Sequence, residues 1–337
     1  MKFYPNTLKA FNLLMLLIVL VSSSSCGNDD NGFLLNSPEK GASLSASSAD
    51  TIIYVLVDNA SLPIYLSIPD GCNQKDYAAV VVMHGSGGMW KDDNPAGGIM
   101  SSQFNEWKDL LSKNCMVGAF VDSYTPSGAV TRSGNWDNPP NIFKISTQFV
   151  RPRYANAALT FLRNLTFDDG SKIVKPKDIG ILGFSDGAGA VAATLYDSES
   201  TPSNWEWTQK YDGKEYSSTD GVRPPPELPS NGGFKGGVFY YGGVVGRGYW
   251  GGNPCDEDAM TNNIYKVYAP MLFQIAAEGY LAENALCMVD LLIKKENPVE
   301  LNLYEGVGHS FDTDEVEQSA LARKNTIDWF KQLFSMN

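Results

Sequence analysis

Histidine is nearly missing from this chain. There are two among 337 residues, His84 and His309. So few imidazoles argue against a histidine-rich metal centre and leave little choice for a proton carrier near neutral pH. Basic residues are in deficit too: 26 Lys and Arg face 38 Asp and Glu, a net charge of -12. Without surplus positive charge to replace phosphate counterions, the chain is not expected to bind nucleic acid. The same imbalance disfavours anionic polymers as substrates. Cysteines number five, none in a C-x-x-C pair, so neither zinc nor a dithiol redox site is implied. Charged residues make up only 19% and hydrophobic ones 43%, a globular composition of a size for one large α/β domain or two small ones.

The first residues read as an address. Lys2 and Lys9 flank the start of Leu13–Val21, a nine-residue apolar run followed by Ser22–Ser25 and Cys26. A basic region, a short apolar core and small residues describe a secretory signal. The run falls short of the ~20 residues a membrane span needs. Cys26, after small residues and before Gly27-Asn28-Asp29-Asp30, resembles a bacterial lipoprotein cleavage site, although Ser23 stands where Leu is usual. The expectation is a signal over residues 1–25, a lipidated Cys26, and a flexible Ser-, Gly-, Asn- and Ala-rich tether over 26–49. Such a protein is exported and meets a bacterial membrane only through its lipid. The other four cysteines then permit two disulfides. Cys255–Cys287 is the preferred pair and Cys72–Cys115 the second; four free thiols are the alternative.

From residue 50 onward, strands and helices alternate. Thr51–Asp58 and Leu62–Ile68 are β-rich runs around Asp58-Asn59-Ala60-Ser61, a hairpin. Tyr77–Met83, Cys115–Val121, Asp178–Phe184, Phe234–Tyr241, Ala269–Ala276 and Val299–Tyr304 read as further strands, several continuously apolar. Helical periodicity marks Ser101–Lys113, the stretch after Pro152, Ser185–Tyr196, Glu283–Lys295 and Asp314–Phe334. The alternation predicts an α/β domain over 50–337 with a mostly parallel sheet covered on both faces. Two stretches break the rhythm, 125–150 and 197–233. Both carry aromatics, Trp136 and Phe143 in one, Trp205, Trp207 and Tyr211 in the other. They are expected to lie like lids over the strand ends where open α/β sheets bind ligands.

The chemistry centres on Gly183-Phe184-Ser185-Asp186-Gly187. The G-x-S-x-G pattern is weak alone, since glycine and serine are common here. Its placement between a buried strand and a helix gives it force. A nucleophile elbow needs small residues two before and two after the serine, so that the hydroxyl projects from a tight turn. His84-Gly85-Ser86-Gly87-Gly88 ends the strand Tyr77–Met83. A glycine-rich bend there can aim amides at a developing oxyanion. The N–H groups of Ser86 and Asp186 are the expected donors, with His84 structural. His309 sits in a loop after the last strand, with Gly306 and Gly308 before it, and is the expected general base for Ser185.

The order of hairpin, His84–Gly88, Gly183–Gly187 and Gly306–Asp312, closed by a long helix, resembles the dienelactone hydrolase branch of the α/β-hydrolase superfamily over about residues 50–336. The resemblance implies an α/β-hydrolase fold with loop insertions over its site and hydrolysis of esters or lactones. It is strongest to exported members that carry serine, because named dienelactone hydrolases use cysteine where this chain has Ser185. Relatives place an Asp after the strand matching Ala269–Ala276. Here that stretch is Ala276-Ala277-Glu278-Gly279-Tyr280, and the expected Asp falls on Gly279. Glu278 is the preferred acid, Glu283 the reserve, with Asp256, Asp258 or no acid as alternatives. No nucleotide fingerprint or metal cluster implies a cofactor, and oligomeric state is not readable. The function expected is a carboxylic ester hydrolase for small or polymeric esters. A peptidase or polyester hydrolase on the same fold, or a binding protein with a decayed triad, are the alternatives.

Overall fold

The computed structural model describes residues 32–35, 43–45, 50–72, 76–243 and 248–336. The expected signal and Cys26 lie outside them. The first half contains β1 (Gly32–Leu35), β2 (Ser43–Leu44), β3 (Asp50–Val57), β4 (Ala60–Ser67), β5 (Tyr77–Met83), α1 (Ser102–Lys113), β6 (Met116–Val121), α2 (Asn141–Lys144), α3 (Arg151–Asn164) and β7 (Thr166–Phe167). Then follow β8 (Val174–Phe184), α4 (Asp186–Thr194), β9 (Gln209–Tyr211), β10 (Lys214–Tyr216), β11 (Gly237–Tyr240), α5 (Ala259–Asn262), β12 (Met271–Ala276), α6 (Ala282–Lys294), β13 (Val299–Tyr304) and α7 (Glu317–Phe334).

Nine strands form one sheet in the order β1-β3-β4-β6-β5-β8-β11-β12-β13. Only the β3–β4 and β4–β6 pairs are antiparallel. Asp58 and Asn59, at φ of 49° and 65°, make the two-residue turn of the first hairpin. Asp and Asn tolerate this left-handed backbone better than most residues. The strand β5 is apolar throughout because it is covered on both faces. Ala79, Val81 and Met83 enter one layer with Leu159 and Phe161 of α3 and Val191 of α4. Ala78, Val80 and Val82 enter the other, with Phe104 and Trp107 of α1 and Phe330 of α7.

The stretch expected to be a tether departs from that expectation. Gly32–Leu35 pairs in parallel with Ile52–Val55 at the sheet edge, and Ser43–Leu44 pairs with Thr166–Phe167. A short apolar run supplies the extra edge strand, and the polar composition of its surroundings hides it. Both expected disulfides form. Cys72–Cys115 joins the segment after β4 to the start of β6, and Cys255–Cys287 ties the segment before α5 to α6. Closing loops of 43 and 32 residues restricts the unfolded chain, worth about 3–4 kcal/mol each in the chain-entropy account.

The two insertions meet. Phe143 and Tyr216 lie with ring centroids 5.1 Å apart, and the Tyr211 hydroxyl donates to the Asp137 carbonyl. The first insertion runs beside the His84 turn, where the Arg132 N–H donates to the Ser86 carbonyl at 2.7 Å. The second follows α3, whose Arg163 donates to the carbonyls of Gly232 and Gly233. Strands β5, β8, β11, β12 and β13 run parallel, so the residues that follow them gather at one edge.

Candidate active site

The turn after β8 is tight enough to dictate its residues. A Cβ on Gly183 would lie 2.1 Å from the Gly187 carbonyl oxygen, and one on Gly187 would lie 2.1 Å from that of Met83. Neither contact is possible, so both positions require glycine. Between them Ser185 holds φ 52° and ψ -116°, a conformation L-residues rarely adopt. Its N–H donates to the Tyr240 carbonyl at 3.0 Å, and its carbonyl accepts from Gly189 at 3.1 Å. The strained serine is therefore pinned between β11 and the first turn of α4.

His309 comes from the loop after β13. Its Nε2 lies 3.0 Å from Ser185 Oγ, across 124 residues of chain. Two tyrosine rings flank the imidazole. Tyr241 approaches edge-on at 4.9 Å between centroids, and Tyr280 lies tilted over it at 4.7 Å. Tyr241 is buried, and its hydroxyl donates to Asp312, a buried carboxylate that also accepts from Trp107 Nε1 at 2.9 Å and Gln103 Nε2 at 3.0 Å. Burial raises the Asp312 carboxyl above its ordinary pKa despite these donors. Tyr280 is 78% exposed, at the rim of the site. Burial lowers the His309 pKa below the ordinary 6.5, with Asp186 pulling weakly the other way.

The acid expected beside the imidazole is not there. His309 Nδ1 is buried, and among the described residues it has no hydrogen-bond partner. Glu278 is exposed; its N–H donates to the Val307 carbonyl at 3.2 Å, and its carboxylate does not reach the ring. Glu283 is exposed in the first turn of α6. Asp256 accepts from the Asn253 N–H and Asp258 from the Asn262 amide, both on the exposed segment around α5. Gly279, by contrast, is next to the histidine: a Cβ there would lie 3.7 Å from the His309 backbone nitrogen.

The two expected oxyanion donors flank the serine. Asp186 opens α4, where first-turn amides lack partners within the helix. A Cβ on Gly85 would lie 3.4 Å from Ser185 Cβ, which puts the Ser86 turn against the nucleophile. That turn rests on a buried network. His84 Nδ1 donates to the Gly85 carbonyl at 2.7 Å, and its Nε2 accepts from the Ser123 N–H at 3.2 Å. Arg151, fully buried, donates through Nε to Ser123 Oγ at 2.8 Å and through Nη2 to the His84 carbonyl. Its guanidinium also lies 5.1 Å from the Tyr124 ring centroid. Burial and the Arg151 charge hold the His84 pKa far below normal, so this ring stays neutral.

A second arginine sits on the open side. Arg132 Nη1 contacts both Asp186 carboxylate oxygens at 2.9 and 3.0 Å, and its Nε bonds Asp137 at 3.0 Å. Tyr124 donates to the same Asp186 at 3.1 Å. The Asp186 charge is thereby matched. Arg132 also lines a cavity of about 120 Å³ between the insertions, with Ser146, Thr147 and Tyr211. A larger cavity, about 420 Å³, is lined by Lys266, Lys294 and Lys295 around the α6 C-terminus and includes neither Ser185 nor His309. Among the described residues no three His, Cys, Asp or Glu side chains are placed to hold a metal.

Comparison with solved structures fits this geometry. A Klebsiella pneumoniae protein described as a dienelactone hydrolase superposes with a TM-score of 0.53, at 14% identity, over 84% of this chain and 98% of its own. The chain has the α/β-hydrolase fold. A propionate-bound esterase from Thermogutta terrifontis shares that fold at a TM-score of 0.51 and 16% identity, over 86% of this chain and 94% of its own. So does a dienelactone hydrolase-like promiscuous phosphotriesterase from metagenomic libraries, at 0.53 and 13%, over 85% and 99%. The Thermogutta esterase has also been captured phosphonylated by cyclosarin. No protein-family model and no curated protein matches the sequence.

Several site residues escaped the sequence reading. Arg151 opens a helix next to a proline and reads as a surface cation. Tyr241 reads as a strand-end aromatic. Tyr280 and Asp312 lie in stretches that the sequence marks, one in the expected acid loop and one three residues after the histidine.

Proposed function

We propose that this chain is a serine hydrolase that cleaves carboxylic esters through an acyl-enzyme on Ser185. The observation that carries the reading is the 3.0 Å contact between Ser185 Oγ and His309 Nε2 at the strand edge of an α/β-hydrolase fold. Ser185 Oγ attacks the ester carbonyl as its proton passes to His309 Nε2. The N–H groups of Ser86 and Asp186 receive the oxyanion. The imidazolium returns the proton to the leaving alcohol as the C–O bond breaks, and water, activated by the same ring, then frees the acid. The propionate-bound and phosphonylated states of the Thermogutta esterase support this class of chemistry.

Ser185→Ala should abolish hydrolysis of p-nitrophenyl acetate and labelling by a fluorophosphonate probe. Wild-type protein that neither labels nor turns over would instead be a binding protein with a decayed site, the reading that the unpartnered His309 Nδ1 favours. We also propose export with a lipid on Cys26, which the two disulfides support, because such bonds persist in oxidising compartments. Labelled fatty acid should enter the wild-type chain in cells and not Cys26→Ser.

A further inference from the structure

The usual third member of such a site is a carboxylate on the far nitrogen of the histidine. Here that nitrogen is buried and has no hydrogen-bond partner among the described residues, and Gly279, at the position expected to hold the acid, would bring a Cβ to 3.7 Å from the His309 backbone nitrogen. We propose that His309 acts without a carboxylate, in a Ser185–His309 dyad whose ring is positioned by Tyr280 and Tyr241; this rests on the serine hydrolase reading above. Tyr241 is itself fixed, since Asp312 accepts from its hydroxyl and Phe184 packs 6.2 Å from it between centroids. Tyr280 closes the other side at 4.7 Å. The two rings restrict the imidazole by contact and dispersion where a hydrogen bond would otherwise do so.

The chemistry follows from the nitrogens. For Ser185 to donate to Nε2, the proton of the neutral ring must be on Nδ1. That N–H has no acceptor among the described residues, so the productive tautomer is not favoured over its partner. The imidazolium formed in the attack also lacks an adjacent anion. Both effects slow the reaction without stopping it. The groups facing the ring are Ser185, the two tyrosines and, at longer range, Asp186 matched by Arg132. Burial outweighs the upward pull of Asp186, so the acid limb of the rate profile lies below the ordinary histidine value.

The test uses p-nitrophenyl acetate hydrolysis across pH with the full mature chain, alongside melting temperature. Glu278→Gln should change kcat/KM less than threefold and leave the acid limb in place. Tyr280→Ala should lower kcat at least fivefold with little change in KM, and Tyr280→Phe should restore it. Tyr280 is largely exposed, so these variants should keep the wild-type melting temperature. Gly279→Asp should raise kcat/KM about tenfold and move the acid limb upward, because a carboxylate there favours the imidazolium. A fall of fiftyfold or more in Glu278→Gln, with the limb displaced, would overturn the dyad, as would wild-type kinetics in Tyr280→Ala. Full activity in both Ser185→Ala and His309→Ala would instead remove the serine hydrolase reading itself.

Discussion

His84 and His309 follow β5 and β13 at the same sheet edge, and they are held in contrasting ways. Both nitrogens of His84 are bonded, its carbonyl is bonded, and a buried arginine braces the arrangement. His309 has one bonded nitrogen and is otherwise kept in place by aromatic packing. The side expected to receive the oxyanion is thus braced by buried polar groups bonded to one another, with Arg151 Nη1 left without a partner among the described residues. The side proposed to move the proton is held by aromatic packing. Damage to the first should register as lost stability, and damage to the second as lost rate.

The largest effect should come from the proton-transfer side. His309→Ala should lower kcat/KM by about 10³-fold or more. Its melting temperature should barely move, because the ring supports no network; a drop like that of an Arg151 variant would erase the contrast. Next is Arg151→Met, which strips donors from Ser123 and the His84 carbonyl in a dry interior. Leaving these unmatched costs roughly 2–3 kcal/mol, or about 3–5 °C in a calorimetric scan of a domain this size. A third variant sharpens the boundary between the regions. Arg132→Gln leaves the Asp186 charge unmatched beside an oxyanion donor, and should lower kcat about tenfold with a small change in KM, the scale of one tenfold step in barrier.

The last effect is on pH dependence. The unfolded chain protonates its histidines near 6.5, whereas burial holds both folded rings below that value. Stability is therefore complete above pH ~6.5 and falls as pH drops below it, by up to ~1.4 kcal/mol per unit for each histidine. Asp312 works in the other direction, since its raised pKa removes stability as pH climbs above the ordinary carboxyl value of 3.8. Melting temperatures between pH 7.5 and 5 should decline, and the slope should flatten in His84→Asn. An unchanged slope would assign the dependence to other groups.

Much of the fold could be read from the order of residues because the buried strands leave a simple record. β5 and β6 are apolar on both faces, and Gly183 and Gly187 announce a turn that nothing larger fits. Ser185 and His309, which the fold brings within 3.0 Å of each other, stand out in the sequence for a similar reason: the motif and the scarcity of histidine each narrow the choice. What could not be read depends on where a side chain points after the chain has folded. Glu278 and Gly279 are neighbours, and the loop between β12 and α6 leaves Glu278 exposed while it sets Gly279 beside the His309 backbone. Arg151 gives no hint in sequence that three elements close over it. The strand Gly32–Leu35 is too short to stand out from its polar surroundings, and only its pairing with β3 defines it.

The glycine-and-alanine start of α4 carries one more consequence. Because Gly183 and Gly187 already touch neighbouring backbone, the platform under Ser185 has no room for mutational drift. Variation in selectivity is therefore expected outside the elbow, with the two excursions at 125–150 and 197–233 as the segments to vary first. Saturating those positions, and leaving the elbow alone, is where new selectivity should be sought.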